Sequence, residues 1–257
     1  MLAEHEKAGS MADTSQDEVL DDPLSRPRHL TQARIAVGRL AGGRRPSAAE
    51  RVASILRTRV VQGSLRPGDR LSEESLGLTL GVSRNTLREA FRLLADNGLL
   101  VHELNRGVFV RTLTPDDISD LYRVRRMLEG AAACRVEKRA VPDLSRVACA
   151  VSEGEVAAEQ DRWAHVATAD LHFHQHLVGL CASPRLDALM QRVMAELRLV
   201  FHRMPAAAPF HRSYLARNRQ ILTLLEEGNG ADAEKELLRY LADAERELLA
   251  ATPPINR

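Results

Sequence analysis

The stretch GVSRNTLREAF, residues Gly81 to Phe91, decides the fold of the N-terminal part of this 257-residue chain. Its apolar side chains recur three and four positions apart, the spacing that places them on one buried face of an amphipathic helix. They are Leu87, Ala90, Phe91 and, just beyond the stretch, Leu94. Ser83 suits the N-cap of this helix, and Gly81 suits the turn before it. The pattern predicts the turn and the second helix of a helix-turn-helix.

Polar side chains occupy the remaining faces of this predicted helix. Arg84 and Arg88 are four residues apart and therefore share one face, and Asn85 lies beside Arg84 in the first turn. The first turn of a recognition helix is the part that reaches base edges in the major groove. Arginine there can bind guanine bidentately or hold a phosphate, so we expect these side chains to contact DNA.

The segments on both sides of this helix complete a winged helix. An amphipathic helix is predicted from about Ala48 to Val61, and Ser72 suits the cap of a short helix with acidic residues in its first turn. Further on, two short apolar runs are joined by Asn-Arg-Gly at 105–107, which predicts two strands and a tight turn. Arg106 and Gly107 then lie at the tip of the wing.

Positive charge is concentrated in this winged-helix segment. Twelve arginines and seven acidic residues lie between Arg44 and Arg111, whereas the whole chain has 36 basic and 35 acidic residues. A helical hairpin with a solvated arginine face is the ordinary alternative. The local excess of positive charge, combined with the winged-helix turns, favours attraction to DNA phosphates instead.

The C-terminal residues are numerous enough for a second domain with its own core. Thr114, Pro115 and two acidic residues form a strong helix start, and the pattern after them is helical throughout. Six helices are predicted, beginning near Thr114, Leu144, Trp163, Arg185, His211 and Ala231. We expect an antiparallel bundle, a fold that readily encloses a small-molecule pocket. The fold class is therefore mainly α, with a small β-wing in the N-terminal domain.

The DNA-binding half resembles the GntR family of bacterial regulators. The resemblance is carried by an ordered series, Arg66-Pro67-Gly68, Leu71-Ser72-Glu73, Gly81-Val82-Ser83-Arg84, Leu87-Arg88-Glu89-Ala90 and Asn97-Gly98-Leu99. It implies that Arg84 and Arg88 contact the operator. It also adds Thr86 on the same helix and Gly107 in the wing as DNA-binding candidates.

The helical half resembles the FCD effector domain in the FadR branch of the same family. The matching residues include Asp117-Ile118, Leu121-Tyr122, Leu128-Glu129-Gly130, Phe173-His174 and Ser183-Pro184-Arg185-Leu186. Six helices rather than seven would favour the VanR-like subgroup. The resemblance implies that this domain binds an effector and that the protein is a dimer.

Asp170 and His174 are four residues apart, so they share a helix face and could hold one divalent metal. In metal-binding members of the family that the chain resembles, two histidines from the last two helices complete the site. Asn218 and Tyr240 stand at those positions here, and such weaker ligands should lower the affinity for zinc or nickel. Two alternatives follow: a zinc or nickel ion at Asp170 and His174, or a hydrogen-bonded pair without metal.

A metal-free effector pocket is the favoured alternative. In that pocket four polar side chains hydrogen-bond a small organic acid. They are Asp170, His174, Asn218 and Tyr240. Arg125 is the candidate to pair with the carboxylate of the effector, because a guanidinium suits bidentate recognition. Arg125 could instead form an internal salt bridge with Glu129, one helical turn further on.

The expected organisation has four parts: a disordered extension over 1–46, the winged helix over 47–111, the FCD-like domain over 112–251 and a tail over 252–257. Either Met1 or Met11 could be the initiator. Three cysteines without metal-binding spacing are typical of reduced thiols in the cytoplasm. No apolar run is long enough to span a membrane, so we expect a cytoplasmic protein with no membrane partner.

These observations together predict a transcription regulator rather than an enzyme. We expect a homodimer on an approximately palindromic double-stranded operator, acting by default as a repressor under the control of the organic acid. Two alternatives stay open. One is a constitutive DNA-binding protein without an effector, and the other is a metal-dependent helical-bundle enzyme, which would leave the winged helix unexplained.

Overall fold

Helix α1, Ala48–Val61, begins at a capping box in which the side chains of Ser47 and Glu50 each bind the other's backbone N–H group. The computed structural model describes residues 45–137, 139–204 and 207–252. The predicted extension lies outside these residues except for its last two positions, as does the predicted tail except for Thr252. The apolar spacing of the sequence predicts the same bounds for α1.

Helices α2, Glu73–Leu80, and α3, Arg84–Asp96, form the predicted helix-turn-helix. Ser72 and Ser83 cap them, each accepting a hydrogen bond from the backbone N–H three residues further on. α2 ends at Gly81, whose φ of 63° is a left-handed conformation that favours glycine. The apolar face of α3 packs on α1 and α2. The buried side chains between them include Leu56, Leu76, Leu87, Phe91 and Leu94.

A three-stranded antiparallel sheet in the order β1-β3-β2 forms the wing and its base. β1 is Arg70–Leu71, β2 is Leu100–Glu103 and β3 is Gly107–Val110. The two strands of the wing are predicted correctly, whereas β1 is not predicted as a strand. Two residues are too few to show alternation, and Leu71 becomes a strand residue only by pairing with Val108.

Within the described residues, six helices follow the wing, as the sequence predicts. They are α4 Pro115–Cys134, α5 Ser145–Glu159, α6 Trp163–Gly179, α7 Pro184–Phe201, α8 Ala207–Glu226 and α9 Gly230–Ala251. α4 packs mainly on α9, and α5 on α6, while α6 also packs on α7 and α8. α8 begins at Ala207 rather than near His211, because Pro209 is compatible with a first turn, where its missing N–H is not needed.

The core of the bundle is mainly apolar, and Arg198 on α7 is one of its few buried charged side chains. Its buried apolar side chains include Tyr122, Phe173, Leu197, Ile221 and Leu241. Charged and polar side chains are buried among them on α4, α6, α8 and α9. α7 also packs on α1, so the bundle meets the winged helix there. In the part of the chain that the structure describes, no helix is long and apolar enough to cross a membrane.

Candidate functional site

The first turn of α3 presents polar side chains to solvent. Arg84 and Asn85 are exposed, and Thr86 is half-buried, with its hydroxyl 2.9 Å from Ser83 Oγ. No side-chain hydrogen bond or ion pair with another described residue engages Arg84. Arg84 is therefore available to a ligand at the position where the sequence predicts a base contact.

Arg88, one turn further along the same face, has a partner within the protein. Its Nε donates to both carboxylate oxygens of Glu73, at 3.2 and 3.0 Å, from the first turn of α2. Arg92 is held in the same way by Glu89 and Asp96. Exposed ion pairs of this kind contribute roughly 0.2–1 kcal/mol, so a phosphate or a base edge can replace Glu73.

The other two predicted DNA contacts lie together at the wing tip. Arg106 is paired with Glu103 and lies over the ring of Phe109, with its guanidinium carbon 5.6 Å from the ring centroid. Gly107 has a φ of 113°, which glycine adopts without strain. Leu104 is 84% exposed in the same turn. One end of the sheet therefore carries both a cation and an apolar side chain.

The five effector candidates come from four helices and meet in one buried cluster. Arg125 lies on α4, Asp170 and His174 on α6, Asn218 on α8 and Tyr240 on α9. Each of them is at least nine-tenths buried. The fold therefore brings together every residue that the sequence proposes for the pocket.

Glu129 on α4 is the member of the cluster that the sequence offers only as an alternative partner for Arg125. Its Oε1 accepts a hydrogen bond from Arg125 Nε at 2.7 Å, and its Oε2 lies 2.6 Å from His174 Nδ1. The internal salt bridge of Arg125 is thus present. It leaves Arg125 Nη2 without a hydrogen-bond partner among the described residues.

The second half of the cluster is built around Asp170. Its Oδ1 accepts hydrogen bonds from the Tyr240 hydroxyl and from the Asn218 side-chain amide, both at 2.8 Å. The same hydroxyl lies 3.1 Å from His174 Nε2. Because the hydroxyl proton is directed to Asp170, the network is complete when His174 Nε2 donates to the hydroxyl oxygen. These bonds join α6, α8 and α9 at one point.

Electrostatics keeps both carboxyl groups of the cluster ionised. Burial by itself would raise the pKa of Glu129, but the charges of Arg125 and His174 hold that pKa below its usual value. Burial would likewise raise the pKa of Asp170, which is lowered instead by His174, His211 and the two hydrogen bonds that Asp170 accepts. Opposite charge and hydrogen bonds thus hold the two carboxylates beside Arg125 and the ring of His174.

This arrangement does not fit the zinc or nickel ion considered for Asp170 and His174. Both ring nitrogens of His174 already have partners, and one of them is the Tyr240 hydroxyl that also binds Asp170. Asn218 directs its amide N–H, a donor rather than a metal ligand, at Asp170. Among the described residues, no three histidine, cysteine, aspartate or glutamate side chains are placed to hold a metal. Tyr240 and Asn218 instead satisfy Asp170 by hydrogen bonding.

Several buried polar atoms in and beside the cluster have no hydrogen-bond partner among the described residues. They are Nη2 of Arg125, Oδ1 of Asn218 and both ring nitrogens of His211. Burial lowers the pKa of His211, while the nearby Asp170 acts in the opposite direction. A buried polar atom without a partner costs about 1–3 kcal/mol, so such atoms in native proteins usually face water or a ligand. These are the atoms in and beside the cluster at which a polar molecule would find a hydrogen-bond partner.

A winged helix with an available arginine on its recognition helix, followed by a helical bundle with a buried polar site, defines a two-domain DNA-binding transcription regulator. Residues 48–110 match the bacterial regulatory proteins of the gntR family, and residues 120–243 match the FCD domain. The chain belongs to the GntR family and carries an FCD domain as its C-terminal half.

Solved and curated relatives agree with this assignment. A GntR transcriptional regulator from Rhodococcus sp. RHA1 is 46% identical, with a TM-score of 0.78 over 81% of this chain and 100% of that one. The HTH-type transcriptional regulator BphR of Paraburkholderia xenovorans is 31% identical over 72% of this chain and 78% of its own. The repressor RspR of Escherichia coli is 24% identical over 76% and 86%. The protein is therefore a transcriptional regulator and not an enzyme.

Proposed function

We propose that this protein binds an approximately palindromic double-stranded operator as a homodimer and that a small organic acid controls the binding. The winged helix over 47–111 contacts DNA, and the bundle over 112–251 holds the effector and the dimer interface. The observation that carries the proposal is the buried cluster with unpartnered polar atoms, in a chain whose recognition helix keeps Arg84 available.

A carboxylate suits the polar atoms that the cluster leaves unpartnered. Arg125 Nη2 is a cationic donor, and a hydrogen bond between it and a carboxylate contributes about 1.5–3 kcal/mol. The ring of His211 can donate a second hydrogen bond to the same anion. Asn218 Oδ1 is an acceptor, so it favours an acid that also carries a hydroxyl group. The proposed effector is therefore a small carboxylic acid, and a hydroxy acid fits best.

The surface of the winged helix supports operator contacts at the predicted residues. The first turn of α3 exposes Arg84 and Asn85, with Thr86 beside them. The remaining predicted contacts flank this turn on α3 and at the wing tip, namely Arg88, Arg106 and Gly107. One recognition helix reads only a few base pairs, and two-fold pairing doubles the specific contacts. A homodimer on a palindrome follows from this need for specificity.

Repression that the effector relieves is the regulatory outcome that we propose, and it takes place in the cytoplasm. Two relatives are named as repressors: RspR of Escherichia coli, and a probable D-xylose utilization repressor of Paenarthrobacter nicotinovorans that is 28% identical over 77% of this chain. Control by the effector requires that it bind more tightly when the winged helices are off DNA. The coupling free energy needed is on the order of 1–3 kcal/mol.

The operator is tested by selecting duplexes from a random pool with the purified protein and measuring affinity by fluorescence anisotropy at several salt concentrations. Arg84→Ala should weaken binding by about 1–3 kcal/mol and relax sequence preference at one position in each half-site. Arg123→Ala is the matched control, because Arg123 is equally charged and exposed but lies on α4. Equal affinities of Arg84→Ala and wild type would remove Arg84 from the interface.

The effector is tested by thermal unfolding with a panel of monocarboxylic, dicarboxylic and hydroxy acids, because a ligand of the folded state raises the melting temperature. Arg125→Lys keeps the charge but loses Nη2, so it should reduce the stabilisation. Arg126→Lys is the control, since Arg126 is the next residue along α4 and pairs with Glu245 outside the cluster. An acid that stabilises wild type should also weaken operator binding. Stabilisation by none of the acids, with operator binding intact, would favour the constitutive alternative.

A further inference from the structure

The C-terminal end of α7 is where the bundle holds the winged helix, and Arg198 is the central residue of that contact. Arg198 is 5% exposed. Its Nε donates to the carbonyl oxygen of Val61, the last residue of α1, at 3.0 Å. Its Nη2 lies 3.4 Å from the carbonyl oxygen of Ala164 on α6. One buried guanidinium thus connects a helix of the winged helix with a second helix of the bundle.

This contact has a definite physical basis. The last carbonyl groups of a helix have no partner within the helix, and a cation placed against them is stabilised by the helix dipole. Arg198 makes no ion pair with an acidic side chain among the described residues, so its charge is offset mainly by the Val61 carbonyl at the end of α1, whereas Ala164 lies in the first turn of α6. Moving α1 away from α7 would leave a buried guanidinium with one hydrogen bond fewer. The orientation of α1 on the bundle is therefore strongly favoured.

Two neighbours of Arg198 reinforce the same contact. His202, which caps α7, lies against Gly63 just beyond α1, where a Cβ atom would come within 3.1 Å of the imidazole. Glu196 binds Arg111 at 2.8 Å, and Arg111 also binds Asp117 at the start of α4 at 2.6 Å. The end of α1 and the segment that leaves the wing are thus both held by the last turns of α7.

The same end of α7 touches the buried cluster. Phe201, the last residue of α7, packs edge-to-face on the His211 ring, with centroids 4.8 Å apart. The charges of Asp170 and Arg198 both act on the pKa of His211, in opposite directions. A molecule bound beside His211 therefore adjoins the residues that hold α1.

We propose that Arg198 is a positioning residue that fixes the winged helix on the bundle and so sets the distance between the two recognition helices of the dimer. This role rests on the proposed function, a homodimer on a palindromic operator. In a dimer joined through its bundles, the angle of each winged helix determines which half-site spacing the pair can span. Arg198 contacts no DNA, so loss of its hydrogen bonds acts on spacing and not on recognition of one half-site.

The test compares wild type, Arg198→Met and Arg198→Lys on operators obtained by selection from a random pool. Anisotropy measures affinity for the selected operator, for versions with one or two base pairs added or removed between the half-sites, and for a single half-site. Wild type should prefer the selected spacing at least tenfold. Arg198→Met should reduce that preference to about threefold or less without changing half-site affinity, and Arg198→Lys, which keeps a cation, should fall between them.

Arg185→Met is the control, because Arg185 is exposed at the opposite end of α7, and its spacing preference should equal that of wild type. Only dimeric fractions with wild-type circular dichroism are compared. Arg198→Lys carries the test if Arg198→Met does not fold. A spacing preference in Arg198→Met equal to that of wild type would overturn the role of Arg198. If only Arg198→Lys folds, the same result in Arg198→Lys would overturn it. Wild type without any spacing preference would overturn the proposed palindromic dimer itself.

Discussion

Replacement of Tyr240 by phenylalanine removes a single hydroxyl from the centre of the buried cluster. The hydroxyl donates to Asp170 Oδ1 at 2.8 Å and lies 3.1 Å from His174 Nε2. Burial and the adjacent Asp170 raise the pKa of Tyr240 well above 10.0, so the hydroxyl keeps its proton. The ring stays in place in the variant, where it packs on Tyr214 with centroids 4.6 Å apart.

The expected loss follows from the two hydrogen bonds. The bond to the Asp170 carboxylate has a charged partner and contributes about 1.5–3 kcal/mol to stability, and the bond with the His174 ring adds about 0.5–1.5 kcal/mol. Asp170 retains its bond from Asn218, whereas His174 Nε2 is left with Asp170 Oδ1 at 3.8 Å, beyond hydrogen-bond distance. We expect Tyr240→Phe to lower the free energy of unfolding by about 3 kcal/mol. The melting temperature should fall by roughly 6–12 °C in a protein of this size.

Urea unfolding followed by circular dichroism measures this loss, and Tyr214→Phe is the matched control. Tyr214 is equally buried, but its hydroxyl donates at 2.9 Å to Glu247, whose side chain is exposed. Water can replace that bond, so Tyr214→Phe should cost about 1 kcal/mol or less. Equal losses in the two variants would show that the Tyr240 hydroxyl does not bridge Asp170 and His174, and the description of the cluster would be wrong.

Three further predictions follow from the same contacts. Ser83→Ala removes the cap that accepts the Thr86 N–H at 3.1 Å, so urea unfolding should show a loss of about 1 kcal/mol, and Ser83→Asp should retain the stability. Burial lowers the pKa of His211 from its ordinary 6.5. The contribution of its neutral ring to stability is therefore full above pH 6.5 and is lost as the pH falls. Between pH 7.5 and 5.5 His211→Phe should therefore lose less stability than wild type, and identical pH dependence would contradict this. Combined Asn218→His and Tyr240→His should create zinc binding detectable by calorimetry that wild type lacks, and zinc binding by wild type would contradict the hydrogen-bonded description.

Much of the DNA-binding half could be predicted from the sequence because local signals decide it. Ser83 and Gly81 mark the start of α3 and the turn before it, and both have the cap geometry that their residue types favour. The apolar spacing of α1 gives its length. β1 could not be predicted in this way, since its two residues become a strand only through pairing with β3.

Five residues of the buried cluster could be predicted from the sequence, but the hydrogen bonds between them could not. Spacing of four residues puts Asp170 and His174 on one helix face, but nothing local shows that Glu129 takes the second ring nitrogen of His174. Arg198 carries no sequence signal that separates it from other arginines of α7. Its role depends on contact with Val61, 137 positions earlier in the chain, and only the folded structure brings the two together.

The ion pair between Glu73 and Arg88 has a consequence for how such a regulator would search a genome. An arginine that already pairs with a carboxylate gains less binding free energy from a phosphate at an arbitrary DNA site. Exchange of the carboxylate for the phosphate adds little attraction, and fewer counterions leave the duplex. Giving up Glu73 costs roughly 0.2–1 kcal/mol, so each contact of Arg88 with unrelated DNA is weakened by that amount. Residence on unrelated sequences would be shortened to the same modest extent, and in the dimer that we propose the two copies of this pair would speed the scan towards the operator.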